Sequence, residues 1–204
     1  MNTHAGRRVV VLVVPAADGW APPGSEPGRW RLAMAEDTYE VLAGLDLVET
    51  AVAVVGGDDE AVARVAELTW PGTPVFGVSE PFEAVDLVGP AEAVVLVSHD
   101  APDLPGLLVG KLFRALGSAD AAVCPATDGS LVALGVSLPV ADWLRALRPG
   151  PDSTLAELDA AKPRRLAVGV GPGWHRLRGP ADLATLDPGL EGWETTRALL
   201  TGRH

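Results

Sequence analysis

The sequence has only one cysteine and two lysines among its 204 residues, and acidic residues outnumber basic ones by 27 to 16. A single cysteine, Cys124, excludes an internal disulfide and favours a reducing compartment such as the cytoplasm. The formal net charge of -11 argues against a nucleic-acid partner, because such partners bind basic surfaces. No apolar run reaches the roughly 20 residues that a membrane-spanning helix requires. We therefore predict a cytoplasmic protein that binds neither membranes nor nucleic acids.

What the sequence does contain is a series of short, valine-rich runs. Seven of them recur along the chain, at residues 9–14, 51–55, 74–78, 93–98, 121–126, 131–136 and 165–170. Most are continuously apolar, a pattern typical of strands buried on both faces. Segments with helical spacing of apolar residues lie between them, and this alternation indicates βαβ units. We predict a single α/β domain over residues 1–204, with three layers and a mixed, mostly parallel sheet of about seven strands.

Two segments depart from this simple alternation. In AAVCPATDGSLVALGV, residues 121–136, two apolar runs flank Asp128-Gly129, which is a strong short-range signal for a hairpin. We therefore expect a hairpin inserted into the α/β chain. The stretch APPGSEPG, residues 21–28, is predicted to be a loop because of its proline and glycine content. Its position after the first strand fits either a flexible active-site loop or an ordinary surface loop.

Two aspartates follow the fourth apolar run, in LVSHDAPDLPG at residues 96–106. Ligands of parallel sheets bind beyond the carboxyl ends of strands, so one interpretation is that Asp100 and Asp103 meet a metal ion or a phosphate. The other is that they cap a helix that starts near Pro102, since aspartate is a favoured N-cap residue. His99 is interpreted as a loop or packing residue, because no second histidine stands at metal-ligand spacing.

Five segments together resemble one family pattern. They are GRWRLAMAEDT (28–38), HDAPDLPGLL (99–108), PATDGSLVALGV (125–136), RPGPDSTLAEL (148–158) and HRLRGPADLATL (175–186). They resemble the G-x-x-K-T-R-L, D-S-P-D-L-P, P-A-x-D-G-G, G-x-D-S and D-V-D-T-P-E-D-L segments of small nucleotidyltransferase-like and glycosyltransferase-like proteins. Those proteins, which include the phospholactate guanylyltransferases, have the GT-A (nucleotide-diphospho-sugar transferase) fold, which is Rossmann-like. The resemblance covers roughly residues 9–188.

The resemblance implies an activity and a set of site residues. It implies transfer of a nucleotidyl group from a nucleoside triphosphate to a small phosphorylated or hydroxy-acid acceptor, or glycosyl transfer from a nucleotide sugar. Asp100 matches the family's Mg²⁺ carboxylate. The basic residues after the first strand would grip phosphates, and the hairpin residues would recognise the acceptor. The substrate-binding candidates are Arg29, Arg31, Asp103, Asp128, Gly129 and Ser130.

The sequence departs from the family pattern at the metal site. The family's second metal aspartate falls at Arg178, and the aspartate before it falls at Arg176. Arg178 is expected to form an ion pair with Asp100, which makes these two the candidate catalytic residues. Arginine then either replaces the metal as the counter-charge of a phosphate, since its planar fork binds phosphate bidentately, or the site is inactive.

Two classes of function therefore stay open. The first is a transferase that binds a nucleotide and a small acceptor, with Mg²⁺ as its cofactor if Asp100 holds the metal alone. The second is a catalytically inactive relative that acts as a binding or assembly partner. The stretch LEGWETTRALLTG, residues 190–202, is predicted to be an amphipathic helix that packs on its own domain or forms a homodimer contact.

Overall fold

The computed structural model describes residues 6–202, and within them seven strands form one sheet. The strands are β1 (Arg8–Pro15), β2 (Glu49–Val55), β3 (Val75–Val78), β4 (Ala93–Ser98), β5 (Ala121–Pro125), β6 (Leu131–Ser137) and β7 (Val168–Val170). Their order in the sheet is β3-β2-β1-β4-β6-β5-β7. Strand β6 runs antiparallel to both of its neighbours, and the other pairings are parallel. The predicted mixed, mostly parallel sheet is confirmed.

Helices cover both faces of the sheet. Those in the described residues are α1 (Pro27–Ala43), α2 (Asp59–Ala66), α3 (Ala84–Leu87), α4 (Gly106–Ala115), α5 (Asp142–Leu147), α6 (Leu155–Ala161) and α7 (Glu194–Leu200). One apolar cluster joins strand residues such as Leu12 and Val95 to α1, α2 and α4. A second joins Val11 and Leu96 to α3, α5 and α6. Because successive strand side chains point to opposite faces, this pattern gives the predicted three layers.

The continuous apolar runs are explained by the position of their strands. All six residues of β4 are buried, and β1 beside it is buried from Val9 to Val14. Each fully buried valine or leucine side chain contributes roughly 1.5–3 kcal/mol through removal of apolar surface from water. A central strand with helices on both faces therefore favours an apolar residue at every position. These two strands end at the carboxyl edge of the sheet, where the first polar residues appear.

The hairpin predicted around Asp128 joins β5 to β6 and is confirmed. Gly129 has a φ of 89°, a conformation that glycine adopts without steric cost. Its backbone N–H donates to the carbonyl oxygen of Ala126 at 3.2 Å, which closes the turn. The hairpin brings β6 between β4 and β5, so the start of β6 lies next to the end of β4.

Two predicted boundaries differ from the structure. The helix expected to start near Pro102 begins at Gly106, because Leu104 precedes Pro105 and residues before proline disfavour helical geometry. Pro105 is the N-cap residue, and no side chain caps this helix, so the capping interpretation of Asp100 and Asp103 is wrong. The apolar run at 165–170 is a strand only from Val168, since Arg165–Ala167 form a 3₁₀ turn.

The C-terminal helix packs on its own domain. The Asp37 carboxylate in α1 accepts hydrogen bonds from the backbone N–H groups of Thr195 and Thr196, at 3.0 and 2.7 Å. Around this contact, Trp30 and Met34 of α1 form a small apolar cluster with Leu199 and others. Of the two alternatives left open for this segment, the first is therefore correct. No helix within residues 6–202 combines the length and the apolar character needed to cross a bilayer.

Candidate functional site

A cavity of about 380 Å³ opens at the carboxyl edge of the sheet. Its wall includes Val13 of β1, Val55 of β2 and residues 98–100 at the end of β4. Helix α1 contributes Arg31 and Met34, and the extended segment after β7 contributes residues 176–178. The volume falls in the range of roughly 300–1,000 Å³ that is typical of small-molecule sites. This is the edge at which the sequence predicted a ligand.

The lining of this cavity is divided between apolar and charged residues. The apolar residues come mainly from the ends of β1 and β2, from the loop after β1 and from α1, and they are Val13, Pro15, Trp20, Met34, Val55 and Pro81. The charged residues gather mainly beyond β4 and β6, and they are Arg31, Asp100, Asp152, Arg176 and Arg178. A ligand with a flat apolar part and an anionic part would find a matching surface for each.

Asp100 is the buried carboxylate of the site. It follows β4, and its side chain is 7% exposed. One oxygen accepts hydrogen bonds from Ser98 Oγ and Arg176 Nε, both at 2.7 Å, and the other accepts from Arg178 Nε at 3.2 Å. Burial by itself would raise the pKa of Asp100, but the charge that His99 carries at low pH, the charge of Arg176 and the bonds from Arg176 and Ser98 lower it to about 2. Asp100 is therefore ionised at neutral pH, and the ion pair expected with Arg178 is present.

Arg176 is fixed in place by its surroundings. Its side chain is only 4% exposed. Besides Asp100, its guanidinium donates to the carbonyl oxygens of Leu131 and Pro151, at 3.2 and 2.9 Å, and to Ser98 Oγ at 2.6 Å. A buried guanidinium is tolerated only when its donors are satisfied. Arg176 therefore ties the end of β4 and the start of β6 to the segment at Pro151.

Arg178 is held more loosely. Its side chain is 38% exposed, and it pairs with Asp128 at 3.4 Å and with Asp152, in addition to Asp100. The carboxylates of Asp128 and Asp152 are 44% and 79% exposed. Ion pairs between exposed groups are weak, with a typical strength of about 0–1 kcal/mol, because water competes for both partners. Arg178 can therefore exchange these two partners for another anion.

The hairpin residues predicted to contact substrate lie beside this pair. The Asp128 carboxylate accepts hydrogen bonds from the Ser130 backbone N–H at 2.9 Å and from Ser130 Oγ at 2.5 Å. Ser130 is buried, and its hydroxyl oxygen accepts a bond from Arg176 at 3.2 Å. Asp128 and Gly129 are exposed at the tip of the hairpin. The structure thus brings the hairpin to the rim of the arginine cluster, although none of its three residues lines the cavity itself.

The two basic residues predicted to grip phosphates are separated by the structure. Arg31 is buried in the first turns of α1 and lines the cavity, where it donates to the Pro15 carbonyl oxygen at 3.0 Å and to Asp18 at 3.2 Å. Arg29 is exposed, and it lines a different depression of about 650 Å³ between α1 and α7. Only Arg31 is therefore positioned to contact a molecule in the first cavity.

Asp103 lies away from the cavity. Its carboxylate is completely shielded from solvent, and it accepts hydrogen bonds from Trp174 Nε1 at 3.1 Å and pairs with His175 Nε2 at 2.9 Å. The indole and imidazole rings are stacked, with centroids 4.8 Å apart. Asp103 thus anchors the segment that carries Arg176 and Arg178 into the site.

Sequence reasoning missed three features of the site. The sequence marks Arg176 only as a departure from the family pattern, yet it is the most buried cation of the cluster. Its spacing from Arg178 could have indicated its position, because residues two apart in an extended segment share a face. Asp152 lies in the segment RPGPDSTLAEL, and nothing in the sequence indicated that it lines the cavity. His99 was interpreted as a packing residue, yet it lines the cavity with 8% of its surface exposed.

The residues around Asp100 do not fit a Mg²⁺ ion. Magnesium is usually held by one or two carboxylates together with phosphates. Here both oxygens of Asp100 are taken by guanidinium groups, which stand where the resemblance places the other metal aspartates. Within residues 6–202, no three His, Cys, Asp or Glu side chains converge as a metal-binding group. At this position Asp100 is therefore paired with two guanidinium groups, one buried and one partly exposed.

Comparison with known proteins identifies the fold. Residues 80–150, from the turn before α3 to the end of the α5 region, match a family described as "Uncharacterized protein conserved in bacteria (DUF2064)". No curated protein matches the chain.

Three solved structures are similar over most of the chain. A protein of Desulfovibrio desulfuricans described as a nucleotide-diphospho-sugar transferase has a TM-score of 0.73 at 19% identity, covering 96% of this chain and 97% of that one. The synthetase of CMP-2-keto-3-deoxy-manno-octonic acid, complexed with CTP, gives 0.55 at 13% identity, covering 97% and 100%. A Mycobacterium tuberculosis protein in complex with manganese gives 0.55 at 19% identity, covering 87% and 96%. These likenesses show that the chain shares the fold of these three proteins, as the resemblance to the GT-A fold predicted.

Proposed function

We propose that the protein binds a nucleotide in the cavity at the carboxyl edge and transfers a nucleotidyl group to a small phosphorylated or hydroxy-acid acceptor. Transfer of a sugar from a nucleotide sugar is the close variant on the same fold. The observation that carries the proposal is the division of the cavity into an apolar half over β1 and β2 and an arginine cluster beyond β4 and β6.

The apolar half suits a nucleobase. Val13, Pro15 and Val55 come from the ends of adjacent strands, and Trp20 and Met34 come from the loop after β1 and from α1. A planar base buries its faces against such side chains with little loss of hydrogen bonding, because its polar groups lie on its edge. The Trp20 ring also packs edge-on against Trp30, at 6.3 Å between centroids, which places the loop beside the cavity.

The arginine cluster suits phosphate. Arg178 holds two exposed carboxylates that water can replace, so a phosphate can replace them too, and a guanidinium binds phosphate through two parallel hydrogen bonds. Arg31 offers a second cation on the α1 side. Arg176 is saturated by its own partners and serves to hold Asp100 and the segment of Arg178 in place.

The proposed reaction is a displacement at phosphorus. An acceptor oxygen forms a bond to the α-phosphorus, the bond from that phosphorus to the bridging oxygen breaks, and its electron pair leaves on pyrophosphate. A phosphorylated or carboxylate acceptor attacks as an anion and requires no base, whereas a hydroxyl acceptor releases its proton to water. Positioning by the cavity and neutralisation of the leaving group by Arg178 supply the catalysis.

The experiment follows from the replacement of the metal aspartates. Binding of nucleoside triphosphates to the natural protein is expected to be nearly the same with and without Mg²⁺, because arginine supplies the counter-charge. In Arg178→Asp, a carboxylate replaces the cation that Asp100, Asp128 and Asp152 share, so a triphosphate meets a negatively charged surface and its binding should require Mg²⁺. Calorimetry of both proteins with several triphosphates, with and without Mg²⁺, measures this dependence.

A matched control is Arg145→Asp, which changes the same residue type at the exposed pair with Asp86. It should behave as the natural protein does. If neither the natural protein nor Arg178→Asp binds any nucleotide under either condition, the transferase proposal fails.

The second candidate is a catalytically inactive relative that acts as a binding or assembly partner. The observation that favours it is the balance of charge at Asp100, whose two oxygens are both occupied by guanidinium groups. The same calorimetry separates the candidates, because this one predicts no nucleotide binding by any of the variants.

We also propose the setting in which the protein works. A cytoplasmic location is supported by the single cysteine, Cys124, whose buried thiol has its pKa raised by desolvation to about 11 and is poorly suited to disulfide exchange. A single domain is supported by two apolar cores on opposite faces of one sheet. The net charge of -11 disfavours nucleic acid as a partner, and a homodimer remains a prediction.

A further inference from the structure

His99 occupies an unusual position for a polar side chain. It follows the last residue of β4 and lines the cavity, and 8% of its surface is exposed. Its backbone is fixed on both sides, since its N–H donates to the Val13 carbonyl oxygen at 3.2 Å and its carbonyl oxygen accepts from Thr38 Oγ1 at 3.0 Å. The backbone of His99 is therefore held rigidly at the wall of the cavity.

The two nitrogens of the imidazole differ in their surroundings. Its Nδ1 atom is shielded from solvent and has no hydrogen-bond partner among the described residues. Burial, together with the nearby charges of Arg176, Arg31 and Arg178, lowers the pKa of His99 to about 4 although Asp100 opposes the shift, so the ring is neutral at physiological pH. Buried polar atoms without partners are rare in folded proteins, because each costs stability. The other ring nitrogen, Nε2, forms no hydrogen bond with the described residues and is not among the shielded atoms, so it is the one that a ligand in the cavity can reach.

The position of His99 across the cavity indicates which part of a ligand it meets. The sheet order places β2 and β1 on one side of β4 and β6 on the other. The apolar wall comes from β2 and β1, and the cluster of Asp100, Arg176 and Arg178 lies beyond β4 and β6. His99 stands between these two regions. In a nucleotide, the part between the apolar base and the anionic phosphates is the ribose, whose hydroxyl groups are uncharged donors and acceptors.

We infer that His99 is a specificity residue of this site, and that its imidazole hydrogen-bonds a ribose hydroxyl of the bound nucleotide. This inference rests on the proposed function, since it assigns the sugar of the same nucleotide. A neutral imidazole carries one N–H and one lone pair, so its Nε2 either donates to a hydroxyl group or accepts from it, according to the tautomer. The site is then expected to prefer ribonucleotides to the corresponding 2′,3′-dideoxynucleotides.

The test compares His99→Leu with the natural protein, using each nucleoside triphosphate that binds and its 2′,3′-dideoxy form as probes in calorimetry. A neutral hydrogen bond changes affinity by about 2- to 10-fold, so the natural protein should favour the ribonucleotide by that factor. His99→Leu should bind both forms equally. Without ligand, this variant should melt higher by about 2–4 °C, because an unpaired buried polar group has been removed.

Two further variants control the test. Arg145→Asp changes the exposed pair with Asp86, which lines neither the cavity nor the surroundings of Asp103, and it should keep the preference for ribose. His99→Phe keeps a planar ring and takes the place of His99→Leu if the latter does not fold. The inference is overturned if the natural protein does not discriminate between the two forms, or if the His99 variant discriminates equally well. It is also overturned if the ligand-free variant melts lower than the natural protein, and the proposed function stands in each of these cases. Absence of nucleotide binding by the natural protein overturns both.

Discussion

At the scale of single residues, Arg176 and Arg178 hold the same carboxylate in different ways. The Arg176 side chain is 4% exposed and reaches backbone carbonyl groups on two segments, whereas the Arg178 side chain is 38% exposed and its other partners are surface carboxylates. Their different burial assigns stability mainly to Arg176 and ligand binding mainly to Arg178.

Substitution by methionine separates these two roles. Arg176→Met should lower the free energy of unfolding by about 3–5 kcal/mol, because removal of the buried guanidinium takes the main ion partner from Asp100 and this donor from four carbonyl or hydroxyl acceptors. Arg178→Met should lower it by about 1 kcal/mol or less, since the pair is partly exposed and Asp100 keeps Arg176. Urea unfolding of both variants measures the difference, and equal losses would contradict the distinction.

At the scale of secondary-structure elements, the contact between α1 and α7 depends on one carboxylate. Burial raises the pKa of Asp37 from its ordinary value of 3.8 to about 6, although the hydrogen bonds from Thr196 and Thr195 oppose the shift. A carboxyl group with a raised pKa holds its proton more tightly in the folded state than in the unfolded state. Its favourable contribution to stability is therefore complete below about pH 4 and is lost as the pH rises through about 6.

Asp37→Asn removes this titration. The difference in unfolding free energy between the natural protein and the variant should fall by about 2 kcal/mol between about pH 4 and about pH 7.5, because each pKa unit corresponds to about 1.4 kcal/mol. Denaturant unfolding of both proteins at the two pH values measures it. Taking the difference between the two proteins cancels the titration of all other groups. A difference that does not change with pH would show that Asp37 titrates as an ordinary carboxyl group.

At the scale of the whole molecule, a nucleotide that binds only the folded state must raise the melting temperature. At a concentration of about 100 times the dissociation constant, a ligand adds about 2.7 kcal/mol, which corresponds to a rise of roughly 5–11 °C for a chain of this size. Thermal unfolding with a panel of nucleotides, with and without Mg²⁺, tests this. The rise in melting temperature is expected to be independent of Mg²⁺ in the natural protein and smaller in Arg178→Met. A rise in the natural protein that appears only with Mg²⁺ would contradict a site without metal.

Much of the architecture could be predicted from the sequence, because its strongest signals are local. The continuous valine runs indicate strands covered on both faces, and Asp128-Gly129 indicates the hairpin that reverses β6. The order of the strands could not be predicted, since it depends on contacts between distant segments. The same holds for the site.

The ion pair of Asp100 with Arg178 was expected from the aligned motifs, and the structure places them 3.2 Å apart. The burial of Arg176 depends on carbonyl groups 25 and 45 residues away along the chain. The partner of Asp103, His175, lies 72 residues away. No periodicity in the sequence reports such pairings, which form only when the hairpin and the segment after β7 fold over the end of β4.

The two margins of the sheet carry a consequence for self-assembly. The outermost strands are the two shortest, β3 with four residues and β7 with three. Another chain can extend a sheet only by pairing with the unpaired backbone groups of an edge strand, and short edge strands offer few of these groups. A second copy would therefore gain little from strand addition. A symmetric dimer is therefore expected to form through helical faces. The short edge strands, together with the mutual repulsion of acidic surfaces, also oppose growth into fibres.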